Sequence, residues 1–469
     1  MKKFIFLSIV ALLTLYPTRS FATNWYVDSA ASGSNNGTSW ANAWTSLSGV
    51  TSSVAPGDTV YISGGTTSQT YSLSGWTPRS GSSSGVITYQ VGQDAGHNGT
   101  VIFNGGTNWL SGAFQYVTIS GDVNNDGRYH IQVQNYSDFV WLATSGTVSH
   151  VILRRIWFPS MVAGIRFSGA TTTAVEFDAI KMDKVYYGSN GWADDIIFGL
   201  AGNAFDTNSI HDSEFSIQAN SSDSAWGDDG LKWPSGLSFY RNHVKVNLTS
   251  AYPQGGGAQH SDIFQMGGNY MKIYDNVFED VGESIIYQDN FDQVANVKGV
   301  YIYNNLFVNS HVPGSDVARG IDIQPESGGV GTTFTDVIIA NNDFIDWTRG
   351  VFLVRFDQIS SCTNCLVENN IAYNSPMGYA TSTVPAVVVS NNVTGSVNFV
   401  AYAQFAAATN DLHLTSNNTT VIGQGLNLSN YFTTDKDNNV RASTGGWDIG
   451  AYASGSKLEP PTGLTGVAK

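Results

Sequence analysis

The amino-acid sequence predicts an all-β solenoid, in which successive turns of the chain stack on one another. Three observations lead to this prediction: a strand–bend–strand motif recurs, the segments around it alternate apolar and polar residues, and amphipathic helical segments are missing. The composition agrees, because only 13% of the 469 residues are charged, against roughly 25% in ordinary soluble domains. With 42% hydrophobic and 12% aromatic residues the chain can form a core, so we expect it to be folded rather than disordered.

The first 22 residues have the features of a secretory signal. Lys2 and Lys3 precede an apolar run over 4–15, and the small residues Ser20 and Ala22 stand where a signal peptidase would cut. That run is too short to cross ~30 Å of hydrocarbon, so we expect no membrane insertion. The mature protein is predicted to be secreted or held at the cell surface.

The recurring motif is the main evidence for stacking. Each copy is a short strand, a bend made of a polar residue followed by asparagine, and a second short strand. The bend asparagines are Asn242, Asn276, Asn305, Asn342, Asn370 and Asn392, with Ser213 in the same place one copy earlier. Asparagine tolerates a left-handed backbone and can hydrogen-bond along a stack through its amide. The sequence therefore predicts a column of asparagines, one per coil. The alternative is a β-sandwich with asparagine-rich turns.

These repeats resemble those of right-handed parallel β-helix proteins, the architecture of the pectate-lyase-like superfamily. The opening Pro-Gly-Asp-Thr-Val-Tyr-Ile at 56–62 and the closing Trp-Asp-Ile-Gly-Ala-Tyr at 447–452 are similar to the ends of that group. The resemblance implies one β-helix domain over 23–455, with an N-terminal cap and a C-terminal tail at 456–469. It implies the fold more specifically than the reaction.

The only two cysteines, Cys362 and Cys365, are three residues apart. In an exported protein this spacing favours a local disulfide over redox chemistry. Two cysteines cannot complete a zinc site alone, and no histidine pair lies beside them. We expect a disulfide that staples a loop.

A polar ladder is predicted on the outer face of one sheet. Aligning the strands that precede the asparagine motifs puts Lys232, Gln265, Gln288 and Gln324 outward, with Arg166 earlier in the same frame. Amides and cations in such a row could bind sugar hydroxyls or carboxylates, although they could equally be ordinary solvated side chains. The residues expected to bind substrate are Arg166, Trp226, Gln265, Gln288, Asp322 and Gln324.

The densest polar cluster lies at 226–233, followed one coil later by 260–265. Its candidate catalytic residues are Asp228, Asp229, Lys232, His260 and Asp262. Lys232 or His260 could remove the proton next to a uronate carboxyl, as in a lyase. Two carboxylates on neighbouring coils could instead serve as acid and base in a hydrolase. The aspartates could also bind calcium, which prefers oxygen ligands, or they could cap backbone amides in the interior.

Parts of this cluster resemble known families. Gly-Asp-Asp at 227–229 is similar to the paired aspartates of polygalacturonase-like hydrolases, but the Gly-His-Gly and Arg-x-Lys of those enzymes do not follow. The Asp–Lys arrangement resembles calcium-dependent pectate lyases that use lysine, although their full aspartate set is not evident. The resemblance implies calcium as a possible cofactor and leaves lyase and hydrolase open.

The resulting hypothesis is a secreted carbohydrate-active protein, expected as a monomer, that cleaves a polysaccharide along one face of the solenoid. The alternative is a non-catalytic extracellular module that binds glycans or acts as a rigid spacer. A formal net charge of −15 argues against a nucleic-acid partner, since the protein's field would repel phosphate.

Overall fold

The structure is a computed structural model. It describes residues 22–160, 163–185, 197–219, 231–232, 235–248, 262–266, 268–280, 284–288, 296–308, 319–324, 333–347, 352–357, 359–375, 378–381, 386–395, 397–404 and 409–454. The statements on structure that follow concern these residues. Among them no helix is both long and apolar enough to cross a membrane.

Almost all regular structure in the described residues is β, arranged in three long sheets and one small one. The 13-stranded sheet A contains, in order, β1 (Asn24–Val27), β2 (Thr59–Ile62), β4 (Ile87–Val91), β7 (Gln115–Ser120), β10 (Thr147–Arg154), β13 (Thr171–Asp178), β16 (Asn208–His211), β19 (Leu237–Tyr240), β22 (Met271–Tyr274), β25 (Asn296–Tyr303), β28 (Thr333–Ala340), β31 (Ser361–Glu368) and β34 (Val387–Ser390).

The 12-stranded sheet B contains β3 (Ser68–Ser72), β5 (Thr100–Gly106), β8 (Ile131–Tyr136), β11 (Ile156–Phe158), β14 (Lys181–Val185), β17 (Glu214–Ala219), β20 (His243–Leu248), β23 (Val277–Glu279), β26 (Leu306–Val308), β29 (Asp343–Ile345), β32 (Ile371–Tyr373) and β35 (Val393–Thr394). The 10-stranded sheet C contains β6 (Leu110–Ser111), β9 (Phe139–Ala143), β12 (Ala163–Phe167), β15 (Ile197–Phe198), β18 (Leu231–Lys232), β21 (Asp262–Met266), β24 (Ser284–Gln288), β27 (Arg319–Ile323), β30 (Phe352–Phe356) and β33 (Tyr379–Thr381). An antiparallel pair, β36 (Phe399–Ala401) and β37 (Asp411–Leu414), follows the last coil, and two 3₁₀ helices, Trp40–Asn42 and Leu47–Ser52, lie near the start.

The three long sheets form a parallel β-helix, which confirms the predicted fold. Through most of the stack each coil contributes one strand to each sheet, and every neighbouring pair in the long sheets is parallel. Parallel pairing places equivalent residues of successive coils ~4.8 Å apart, so residues some thirty positions apart in sequence become neighbours.

The core lies inside the stack and is made of the alternate residues of each strand. In β19 and β22, for example, Leu237 and Phe239 pair with Met271 and Ile273, and all four are buried. The phenylalanines of sheet B stack on one another, with ring centroids 5.1 Å apart between Phe278 and Phe307. Such columns remove apolar surface from water at about 25 cal/mol per Å².

The predicted asparagine column is present and buried. The side chain of each member accepts from the backbone N–H of the member one coil before it; Asn305 N, for instance, donates to Asn342 Oδ1 at 3.0 Å. The amide also donates to a carbonyl of the preceding coil, as from Asn342 Nδ2 to Ile302 O at 3.0 Å. Ser213 takes the same place: its backbone N–H donates to Asn242 Oδ1 at 3.0 Å, and its Oγ accepts from Ile180 N at 2.9 Å and donates to His211 O at 2.8 Å.

The residue before each column member turns the corner in the left-handed conformation. Positive φ angles near 55° recur at Asp212, Arg241, Asp275, Asn304, Asn341, Asn369 and Asn391. The two residues of the motif therefore have different roles. The first bends the chain and directs its side chain away from the column, and the second hydrogen-bonds the neighbouring coils to one another.

Cys362 and Cys365 are joined by a disulfide within β31 rather than in a loop. Two residues three apart would normally face opposite sides of a strand. Asn364, with φ 54°, interrupts this alternation, as Asp336 does at the corresponding position of β28, so both cysteines point into the core. The disulfide therefore bridges a left-handed residue inside sheet A.

Replacing both cysteines by alanine should lower the free energy of unfolding by about 2 kcal/mol, because the disulfide closes a short loop in the unfolded chain. Urea unfolding of the double variant, compared with the wild type with and without reductant, measures this. Equal stability of the reduced and oxidised wild type would contradict the expectation.

Candidate functional site

The outer face of sheet C carries one column of residues that runs along the stack. Backbone pairing aligns, from the first coil onward, Ser111, Leu142, Arg166, Phe198, Lys232, Gln265, Tyr287, Asp322, Arg355 and Ala380. On either side of this column, alternation turns buried residues inward, such as Ile321 and Ile323 beside Asp322. The predicted pairing of Lys232 with Gln265 agrees with this register.

The predicted ladder is wrong at Gln288, and its last place is taken by Asp322, two residues before Gln324. The register pairs Gln288 with Met266 on one side and with the buried Ile323 on the other, one position away from the outer column. The column passes through Tyr287 instead. The sequence alignment slipped by one residue here because both Ile286 and Tyr287 could serve as the inward apolar residue.

The described residues include only part of the predicted site. Arg166, Asp322 and Gln324 are described with their side chains, and Lys232, Asp262, Gln265 and Gln288 by their place in strands. Asp228, Asp229, Trp226 and His260 lie outside the described residues, so their predicted roles stay predictions. Arg166 is half-buried, and its guanidinium carbon lies 5.7 Å from the ring centroid of Phe139, one coil earlier.

Asp322 is completely buried in spite of its outward position. Arg355, directly opposite it on the next coil, holds both carboxylate oxygens: Nε donates to Oδ1 at 2.9 Å and Nη2 to Oδ2 at 2.6 Å. The guanidinium also donates to Gln324 Oε1 at 2.8 Å and lies 3.4 Å from Asp357 Oδ2. Bidentate arginine–carboxylate pairs are rigid as well as strong. Asp322 would therefore act on a ligand through Arg355, whose side chain is 19% exposed.

Sequence analysis missed Arg355. A signal for it exists, because Val-Arg-Phe at 354–356 repeats the pattern Ile-Arg-Phe at 165–167, where Arg166 was recognised. With Arg355 included, three cationic residues share the outer column of sheet C in a chain whose formal net charge is −15. The same column contains one carboxylate, Asp322, which is paired with Arg355.

A second polar cluster, not predicted from sequence, lies on the outer face of sheet A. His211 is at its centre, with Nδ1 2.7 Å from Asp212 Oδ2 and 3.7 Å from Asp178 Oδ1, and Nε2 3.5 Å from Glu176 Oε1. Arg241 donates to both oxygens of Asp212, at 2.8 and 2.6 Å. The histidine ring also begins an aromatic stack that continues through Tyr240, Tyr274, Tyr303 and Phe432.

The carboxylates keep this histidine protonated. Burial alone would lower the pKa of His211, but hydrogen bonds to Asp212 and Glu176 and the charge of Asp178 raise it to about 9. Burial would raise the pKa of Asp212, whereas hydrogen bonds from His211 and Arg241 lower it to about 2. The cluster is thus a network of paired charges at neutral pH.

Asp178, His211 and Asp212 are close enough to hold a metal ion, with one ligand atom of each within 4.8 Å of the others. The donor set does not suit calcium, which prefers oxygen ligands, and an imidazolium must lose its proton before it can bind any metal. Arg154 contacts Asp178 at 2.5 Å and Arg241 contacts Asp212, so both carboxylates already have cationic partners. The arrangement fits a structural charge network better than a calcium centre.

The His211 network predicts a pH-dependent contribution to stability. Because the pKa of His211 is raised from 6.5 to about 9 in the folded protein, its contribution is complete below pH 6.5 and is lost as the pH rises through 9. The stability difference between wild type and His211→Gln, from urea unfolding, should therefore be larger at pH 6 than at pH 9.5. A difference that is constant over this range would contradict the assignment.

Comparisons with known proteins concern the fold. No protein-family profile matches the chain, and no curated protein matches it. Among solved structures, the pectate lyase Pel9A aligns over 92% of this chain and 97% of its own, with 16% identity and a TM-score of 0.44. A rhamnogalacturonan lyase aligns over 85% and 96%, with 13% identity and a TM-score of 0.36. A GH136 lacto-N-biosidase from Eubacterium ramulus aligns over 80% and 68%, with 10% identity and a TM-score of 0.37. These likenesses extend over most of the chain and carry no information on its reaction.

Proposed function

We propose that the protein is a secreted enzyme that cleaves an anionic polysaccharide by β-elimination along the outer face of sheet C. The observation that supports this is the outer column, in which Arg166, Lys232 and Arg355 follow one another at intervals of whole coils. A linear polymer lying along the stack would meet one outward residue per coil, and cations in that row would attract its carboxylates.

Lys232 is the proposed base. Its neighbours in the column are Phe198 and Gln265, an apolar and an uncharged residue. A lysine is an effective base near neutral pH when its pKa is lowered by partial burial or nearby cations. It would take the proton next to the uronate carboxyl. The bond from the adjacent carbon to the glycosidic oxygen then breaks as a carbon–carbon double bond forms, and the departing oxygen takes a proton from water.

The arginines are the proposed carboxylate-binding groups. Arg355 is held in place by Asp322, Gln324 and Asp357, which restricts the guanidinium to one orientation. A fixed, planar donor costs less ordering on binding than a mobile one. Calcium, held by Asp228, Asp229 and Asp262 as predicted from sequence, would neutralise substrate carboxylates beside the base.

Incubation of the protein lacking residues 1–22 with a panel of polysaccharides, with and without EDTA, tests the proposal. Release of products with the ultraviolet absorbance of unsaturated uronates is the expected result. New reducing ends without that absorbance would indicate a hydrolase using the aspartates as acid and base. Binding without any product would indicate a glycan-binding module, and either outcome would overturn the proposed elimination.

A further inference from the structure

The segment after the last coil runs back along the stack and makes hydrogen bonds and apolar contacts with several coils. We call residues 421–454 the C-terminal clasp. It lies against the corner between sheets A and B, where the left-handed residues of the bends point outward. Its hydrogen bonds to the coils include Lys436 Nζ to Asp275 O (2.6 Å), Asn304 Nδ2 to Thr434 O (2.8 Å), Asn341 Nδ2 to Asp448 O (2.9 Å) and to Gly450 O (2.8 Å), and Asn369 Nδ2 to Leu426 O (2.9 Å).

Apolar contacts add to these hydrogen bonds. Phe432 stacks on Tyr303 with ring centroids 4.3 Å apart, and Trp447 and Leu428 complete a buried cluster with Ile338. Arg441 of the clasp is buried, and its Nη2 donates to Asn304 Oδ1 at 3.1 Å and to two carbonyls of the clasp itself. The clasp is therefore a folded element that spans coils from Asp275 to Asn369.

Two carboxyl groups of the coils are enclosed under the clasp. Asp275 is 6% exposed, and its buried Oδ1 has no hydrogen-bond partner among the described residues. Asp343 is 1% exposed, and its Oδ1 accepts from the backbone N–H of Ala451 in the clasp at 3.0 Å. A buried carboxylate with so few donors costs more free energy than a neutral carboxylic acid in the same place.

The charged groups around the two carboxyls come from every packed element. Those that face Asp275 are Lys436, Asp435 and Arg441 of the clasp, the adjacent Tyr274, Arg241 one coil before and Tyr303 one coil after. Those that face Asp343 are Arg441, Lys436 and Tyr452 of the clasp and His413 of β37. Burial outweighs the nearby cations at both sites and raises the pKa of Asp275 and that of Asp343 to about 7.

We propose that the C-terminal clasp is a proton-controlled device: it closes tightly when Asp275 and Asp343 are protonated and loosens when they ionise. Opening exposes both groups to water, where an aspartate ionises at its ordinary pKa near 3.9. The closed state therefore binds up to two more protons than the open state between about pH 4 and 7. Acid strengthens the clasp, and a rise of the pH to about 7 weakens it. Burial lowers the pKa of Lys436, so loss of its proton at higher pH acts in the opposite direction.

Hydrogen–deuterium exchange on the full-length mature protein tests this. After correction for the intrinsic pH dependence of amide exchange, the opening equilibrium of clasp amides at 426–451 should increase at least tenfold between pH 5 and pH 8. Amides of β8, in the N-terminal coils, serve as the internal control and should change much less. A clasp whose protection has the same pH dependence as β8 would overturn the proposal.

Substitutions assign the effect to the two carboxyls. The variant Asp275→Asn/Asp343→Asn keeps the shape of both groups but cannot ionise, so its clasp should lose most of the pH dependence. Asp94→Asn, at an exposed carboxyl in the N-terminal coils that is hydrogen-bonded to Trp40, controls for the loss of one carboxyl and should behave like the wild type. A double variant that retains the wild-type pH dependence would also overturn the proposal. If that variant does not fold, the comparison of clasp and β8 amides in the wild type still tests the proposal.

None of these residues belongs to the proposed cleavage site, so failure of one proposal leaves the other standing.

Discussion

Replacing Asn342 by alanine is expected to lower the free energy of unfolding by about 3–5 kcal/mol. Asn342 is completely buried in the middle of the asparagine column. Its Oδ1 accepts from both the backbone N–H and the Nδ2 of Asn305, each at 3.0 Å, and its Nδ2 donates to Ile302 O and Asn370 Oδ1. Alanine would leave several buried donors and acceptors without partners, and each such group costs about 1–3 kcal/mol.

Asn392→Ala is the matched control, because Asn392 is the last described member of the column and is only half-buried. It accepts from Asn370 and donates to Val367 O, but no later asparagine depends on it among the described residues. The free energy of unfolding of this control should fall by about 1 kcal/mol, because water can hydrogen-bond some of the groups that lose their partner at this half-buried position. Urea unfolding followed by circular dichroism measures both changes. Equal losses would mean that position in the column is unimportant and that the interior hydrogen bonds are not what joins the coils.

Replacing Lys232 by methionine is expected to reduce the rate of polysaccharide cleavage about 100- to 10,000-fold, the range that general-base catalysis contributes. Methionine retains much of the length of the side chain but cannot take a proton. The loss should appear in kcat, while KM changes little, because the proposed role of Lys232 is in the chemical step. Initial rates of unsaturated-product formation measure this.

Two further variants make the Lys232 result interpretable. Lys298→Met, at an exposed lysine of β25 in sheet A, should leave the rate unchanged and controls for the loss of one positive charge. Arg355→Gln should raise KM more than it lowers kcat, since its proposed role is to bind a carboxylate. Full activity of Lys232→Met together with an inactive Asp229→Asn variant would assign the chemistry to the aspartates and reject elimination by lysine.

The sequence was sufficient to predict the stacked architecture because its signals are local and repeated. Each coil contains the same bend, and the second bend residue joins the same column every time, so a one-dimensional pattern determines which residues become vertical neighbours. Asn276, Asn305 and Asn342 could therefore be assigned to a column without coordinates. The pairing of Lys232 with Gln265 was predicted from the alignment of the strands that precede the bends, although Ile263 and Phe264 are adjacent and both buried.

The remaining features depend on register and on contacts between distant segments, which the repeat does not encode. A shift of one residue on a strand with two adjacent apolar residues moved Gln288 out of the outer column. Three features arise from neighbouring coils that meet only when they are stacked. They are the inward turn of both Cys362 and Cys365, the burial of Asp322 under Arg355, and the charge network around His211. The enclosure of Asp275 by a segment 161 residues later has no sequence signature at all. In this protein local alternation determined the stack, whereas the burial and pairing of its charges were decided by tertiary contacts, because the cost of a charge depends on what surrounds it in space.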